Sequence, residues 1–219
     1  MSQWITLETS VGPVKAWHAK PEGTPRGGLV VIQEIFGVTQ HIREVAEGYA
    51  AEGYEVIAPA FFDVVEKDVD LPYNQDGVTR GLELVGQLNF ERPTEIVKAA
   101  AAQLASAGKV GTVGYCWGGT IALLSAIRLG LPSISYYGGR NADYLDQPVK
   151  APVMFHFGEH DQHITPDIVQ QHRDKLPQME VFVYPADHGF NRTVGDSYEP
   201  ASAKLALERS LAFLQAHLQ

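Results

Sequence analysis

The chain has 219 residues, 45% of them hydrophobic and 20% charged, with 26 acidic against 17 basic side chains and a formal net charge of -9. That length suits one compact domain with a sizeable core, and the acidic balance argues against a nucleic-acid partner, which needs a basic face. A single cysteine excludes an internal disulfide and any CxxC metal or redox site and suits a reducing cytoplasm. The N-terminus shows no basic segment followed by an apolar run, and no run approaches bilayer-spanning length, so neither secretion nor membrane association is expected.

In chain order, Trp4–Leu7 and Val14–Ala19 read as strands split by the turn dipeptide Gly12-Pro13. Leu29–Ile32 is a continuous apolar run, as expected of a strand buried on both faces. Ile42, Val45, Ala46, Tyr49 and Ala50 recur at helical spacing, Gly53 closes that helix, and Tyr54–Ile57 is the next strand. Residues 60–92 are the least patterned, Asp-rich with a helix near 78–88; such a segment serves as a lid or substrate loop, or equally as a plain surface excursion. Thr94–Ser106 is Ala-rich and helical. Val110–Val113 is a strand, about 118–129 a helix, and Ser133–Tyr137 and Pro152–Phe157 are strands. Thr165-Pro166 starts a helix, with Thr as cap and Pro in the first turn. Met179–Tyr184 is the last strand, and the closing helix carries Leu207, Leu211, Leu214 and Leu218 on one stripe.

Strands alternating with helices imply an α/β fold: a mostly parallel sheet of about seven to eight strands, helices on both faces, one domain over residues 1–219. Ligands in such sheets bind at the carboxyl ends of the strands. Four polar residues follow strands on that edge: Glu34, Cys116, Asp161 and His188. Cys116 lies in Gly114-Tyr-Cys-Trp-Gly118, the thiol form of the G-x-S-x-G elbow of α/β-hydrolases. A lone cysteine is otherwise a small buried hydrophobe, but the glycine frame between strand and helix points to a nucleophile.

Each partner answers a chemical need. The thiolate is the attacking species and a free thiol ionises near pH ~8.5, so the anion must be stabilised, here by the amino end of the following helix and an imidazole. His188 would take the thiol proton and return it to the leaving group, with Asp161 fixing its tautomer. Asp187 adjoins His188 awkwardly for side-chain pairing, and Glu159 is the other alternative. The backbone N–H groups of Trp117 and Ile35 are placed to hold an oxyanion. His156, Glu159, His160, Asp161 and His163 fit no metal-ligand spacing, and His18, His41, His172 and His217 are read as ordinary surface residues. With no Walker A loop and no G-x-G-x-x-G after a strand, no cofactor and no metal are expected.

At these residues the sequence resembles the dienelactone hydrolase (carboxymethylenebutenolidase) family of α/β-hydrolases. The matching pieces are Gln33-Glu-Ile-Phe-Gly37, Gly114-Tyr-Cys-Trp-Gly-Gly119, Phe157-Gly-Glu-His-Asp161 and His188-Gly-Phe-Asn-Arg192. The resemblance implies a Cys116–Asp161–His188 triad and gives Glu34 a role: contacting the resting thiol and swinging away when substrate arrives. It makes Arg192 the partner of Glu34 or of a substrate carboxylate, and puts a second substrate-binding arginine at Arg80, whose other reading is a solvated surface residue. Gly189, Leu84 and Gln87 depart from the family's pattern and put the substrate in question. Phe36, Trp117 and Tyr137 line an apolar pocket or belong to the core. The expected protein is a cytoplasmic hydrolase, monomer or small homo-oligomer. It opens a small, carboxylate-bearing enol-lactone through an acyl-thioester. A broader cysteine carboxylesterase of the same fold and a non-catalytic binding protein are the alternatives.

Overall fold

Eight strands form one sheet in the computed structural model, which describes residues 1–219. They are β1 (Ser2–Leu7), β2 (Val14–Ala19), β3 (Gly28–Ile32), β4 (Glu55–Pro59), β5 (Val110–Tyr115), β6 (Ser133–Tyr136), β7 (Val153–Gly158) and β8 (Glu180–Tyr184), in the order β1-β2-β4-β3-β5-β6-β7-β8. β1 and β2 pair antiparallel, β2 pairs antiparallel with β4, and the other neighbours are parallel. The six helices are α1 (Gln40–Ala51), α2 (Gln75–Leu88), α3 (Arg92–Gln103), α4 (Trp117–Arg128), α5 (Pro166–Lys175) and α6 (Pro200–Leu218).

The chain moves from β3 outward to β4, then returns to lay β5 on the other side of β3. This reversal opens a crevice beyond the carboxyl ends of β3 and β5. Ile32 pairs with Gly114 across the two strands, so the residues two places further on, Glu34 and Cys116, leave the sheet at the same level. Right-handed crossovers running in opposite directions put α1 and α4 on opposite faces. α4 is buried from Trp117 to Ile127, enclosed by the sheet and α3, which is why its sequence is apolar all round.

Several sequence expectations need correction. The helix near 78–88 begins earlier, at Gln75, capped by Asn74, whose Oδ1 accepts from Gly77 N at 3.0 Å. Thr165 holds the N-cap position of α5 but makes no side-chain capping bond. In α6 the buried face is Ala203, Ala206, Ser210, Phe213, Leu214 and Leu218, while Leu207 is 38% exposed. The inward side chain there is polar: Ser210 Oγ meets Tyr136 OH at 2.8 Å and His156 Nε2 at 3.1 Å, and His156 Nδ1 meets Tyr184 OH at 2.8 Å. His18, His41 and His172 are buried rather than on the surface. Burial lowers His41 and His172 to about 4 and, with the Arg209 charge, His156 to about 3, so these three are neutral imidazoles.

Candidate active site

Cys116 sits at the hinge between β5 and α4 with φ 55° and ψ -119°, a conformation that L side chains rarely adopt. The turn is held by Cys116 N donating to Tyr136 O at 3.0 Å and Gly119 N donating to Cys116 O at 2.9 Å. The glycine frame follows from close approach. A Cβ on Gly114 would overlap the Gly118 carbonyl, and one on Gly118 would overlap the carbonyl oxygens of Ile32 and Gln33. The thiol faces a cavity of about 580 Å³, whose wall includes Ile35, Phe36, Trp117, His188 and Arg192.

His188 and Asp161 come from the loops after β8 and β7. His188 Nδ1 lies 2.6 Å from Asp161 Oδ2, while Asp161 Oδ1 accepts from the backbone N–H of His163 (2.8 Å) and Ile164 (3.1 Å). Burial works against charge on both partners. His188 is nonetheless raised to about 10, because Cys116 and Asp161 favour the imidazolium through charge and side-chain hydrogen bonding. Asp161 is held below its ordinary value, as its bonds to His188 and to the two amides outweigh burial. Glu159 and Asp187, the alternative carboxylates, are exposed.

Glu34 follows β3 and is almost wholly buried. Its Oε1 lies 3.5 Å from Arg192 Nη1 and its Oε2 has no hydrogen-bond partner. Burial raises the carboxyl, and Arg192 and His188 offset this only in part. The loop holding Glu34 is pinned by Gln33, whose Nε2 donates to Glu34 O at 3.2 Å and whose Oε1 accepts from Phe61 N at 3.1 Å. Arg192 donates from Nε to Val194 O at 2.9 Å and lies over the rings of Tyr73 (4.7 Å) and Phe36 (5.8 Å). Ile35 is in the turn after β3, and Trp117 opens α4, where the first N–H groups lack intrahelical acceptors. Both border the cavity beside Cys116.

Two expected substrate contacts lie elsewhere. Arg80 is outside the cavity wall; it donates to Glu83 Oε2 at 2.8 Å and pairs with Glu66, because this turn of α2 faces solvent. Tyr137 is buried behind the wall with φ 40°, its ring centroid 5.0 Å from that of His188, and so backs the imidazole instead of lining the cavity. The sequence reading missed Tyr73, Thr120, Arg140, His163 and the α2 residues Val78, Leu82 and Val85, all on the wall. Arg140 follows β6, so the strand-end rule that nominated Cys116 extends to it; Tyr73 lies in an unpatterned stretch and gave no signal. No group of three His, Cys, Asp or Glu residues is arranged to hold a metal ion, and no helix is long and apolar enough to cross a membrane.

Comparison with known proteins agrees with this architecture. Residues 14–218 match the model of the dienelactone hydrolase family. A carboxymethylenebutenolidase of Pseudomonas putida is 32% identical over 207 residues, covering 89% of this chain and 87% of its own. Carboxymethylenebutenolidase 1 of Cupriavidus pinatubonensis is 29% identical, covering 94% and 92%. The crystal structure of a candidate dienelactone hydrolase from Klebsiella pneumoniae superposes with a TM-score of 0.87 at 30% identity, covering 97% of both chains. With nearly the whole chain matched and the α/β-hydrolase sheet in place, the chain belongs to the dienelactone hydrolase family and is a carboxylic ester hydrolase.

Proposed function

We propose that the protein opens a small enol-lactone bearing a carboxylate, using Cys116 as nucleophile. The observation that carries this reading is the convergence on one cavity of the strained thiol, a histidine hydrogen-bonded to a buried aspartate, and an arginine 3.5 Å from a buried glutamate. Charge on His188 is favoured by Cys116 and Asp161, which suits an imidazole that takes the thiol proton and holds it for the leaving group. The thiolate adds to the lactone carbonyl, and the oxyanion is met by the N–H groups of Ile35 and Trp117. Collapse breaks the ring C–O bond and expels the enolate, which takes the proton from His188 and leaves an acyl-thioester on Cys116. Neutral His188 then removes a proton from water, which attacks the thioester, and the thiol is regenerated.

Arg192 is the group for the substrate carboxylate. Its present partner Glu34 is raised by burial and has one oxygen unpaired. A substrate carboxylate competing for Arg192 weakens one of the two charges that offset the burial of Glu34, so its carboxylate becomes a stronger proton acceptor when substrate is bound. Cys116→Ala should abolish turnover of such a lactone; retention of more than a few per cent of kcat/KM refutes the reading. A broader cysteine carboxylesterase is the second reading, favoured by Arg80 lying outside the cavity. It predicts equal kcat/KM for a lactone acid and its methyl ester, whereas recognition by Arg192 predicts a loss of tenfold or more for the methyl ester.

A further inference from the structure

The cavity wall divides by chemistry. Cys116, His188 and Arg192 supply its reactive and charged side, whereas α2 presents Val78, Leu82, Val85 and Gly86 at i, i+4, i+7 and i+8, one face of the helix. The charges of α2 are directed elsewhere, Arg80 being paired with Glu66 and Glu83. The helix is also fixed in that orientation: a Cβ on Gly77 or Gly81 would overlap the carbonyl oxygen of Pro72 or Ile35, so its other face is in close contact with the loop that carries Ile35. The wall also includes Trp117, Thr120, Gly139 and Arg140, and the Arg140 guanidinium is engaged by Asp143 Oδ2 at 2.9 and 2.7 Å and lies 5.7 Å from the Phe90 ring, just past the end of α2.

Two glycines on this wall have no packing reason to be glycine. A Cβ on Gly86 or on Gly139 would meet no atom within 4 Å, and neither has a positive φ. Gly86 also lies within a helix, where glycine is unfavourable. Both are exposed and border the cavity, so a larger side chain at either has open space to occupy at its rim. The cavity volume of about 580 Å³ lies within the roughly 300–1,000 Å³ of pockets that enclose drug-sized ligands, more than a bare lactone ring with one carboxylate requires.

We propose that the face of α2 carrying Val78, Leu82 and Val85 binds a bulky apolar substituent, so that the substrate class is a mono-anionic enol-lactone or ester carrying an alkyl or aryl group in addition to its carboxylate. Gly86 is the specificity-determining position. This rests on the thiol-hydrolase reading above.

The test is a series of enol-lactones that share one exocyclic carboxylate and carry hydrogen, methyl, butyl or phenyl on the ring, assayed with the wild type, Gly86→Leu and Gly139→Val. Wild-type kcat/KM should rise about two- to fourfold per added carbon. In Gly86→Leu the butyl-to-hydrogen and phenyl-to-hydrogen ratios should fall at least tenfold, mainly through KM, and Gly139→Val should shift them in the same direction. A wild-type ratio of one or less, or a Gly86→Leu loss equal for every substituent, overturns the proposal. Failure of the wild type to open any of these lactones or to cleave aryl esters would instead overturn the thiol-hydrolase reading beneath it.

Discussion

Replacing Asp161 by asparagine tests how the histidine is set. Asp161 uses one oxygen for the N–H groups of His163 and Ile164 and the other for His188 Nδ1. An amide NH2 cannot accept from a backbone N–H, so the introduced asparagine must keep its carbonyl on those two donors and turn its NH2 towards His188. Nδ1 must then accept, the ring proton moves to Nε2, and the imidazole can no longer take the thiol proton. The aspartate's support for charge on His188 is lost together with the tautomer, while burial still opposes charge. In a serine hydrolase triad the equivalent trap costs about 10⁴ in kcat, or roughly 5–6 kcal/mol of barrier. We expect kcat/KM for an enol-lactone to fall by about 10³–10⁴ in Asp161→Asn. Asp161→Ala, which leaves Nδ1 without an imposed partner, should retain more activity despite the two amides it strands. Steady-state rates are to be compared below the unfolding temperature of both variants. A loss under tenfold in Asp161→Asn, or Asp161→Ala being the worse of the two, would refute the tautomer argument.

Three further outcomes concern the titratable and charged groups. His41, His156 and His172 are neutral in the fold, with values lowered to about 4, 3 and 4, but charge below about pH 6.5 once unfolded. The unfolded chain therefore binds more protons, and stability present above pH 6.5 is lost on acidification by up to about 4 kcal/mol per pH unit. Urea midpoints measured from pH 7 to 4.5 should fall steeply, and a flat profile contradicts the assignment. Glu34→Gln removes a titrating carboxyl beside the site and should change the pH profile of iodoacetamide alkylation of Cys116; an unchanged profile argues against gating by Glu34. Arg80→Gln should leave kcat/KM for a carboxylate-bearing lactone within about twofold and stability within about 0.5 kcal/mol, since exposed ion pairs contribute little. A tenfold rise in KM would return Arg80 to the substrate.

What the sequence revealed and what it concealed divide along a physical line. Features that depend on backbone close approach were readable: Gly114 and Gly118 imply a strand packed on a helix start, and alternating strands imply which residues share the carboxyl edge. The orientation of α2 was not readable, because both of its faces carry apolar residues, Leu84 and Leu88 in the core and Val78, Leu82 and Val85 on the cavity. The pattern therefore leaves Arg80 open between a substrate contact, as the family resemblance implies, and a solvated surface residue, and its turn faces solvent. Tyr137 follows an apolar strand and looks like a wall residue, yet its positive φ turns it behind His188. The buried histidines were hidden for a related reason. A neutral imidazole counts as polar in a pattern but packs like an aromatic ring, as His172 does against Phe155 and Phe157 while its Nδ1 meets Ile168 O at 2.8 Å. Ser210 likewise marks the inner face of α6 through hydrogen bonds that hydropathy does not register.

Covalent acylation of Cys116 is the step on which the proposed chemistry depends. The direct measurement is to mix enzyme with an enol-lactone in single turnover, quench with acid within milliseconds to seconds, and determine the mass of the intact protein and of the peptide containing Cys116. A transient mass increase equal to the ring-opened acyl group, confined to that peptide and absent in Cys116→Ala, is the predicted result. Full turnover with no adduct at any quench time, accompanied by an active Cys116→Ala variant, would contradict it.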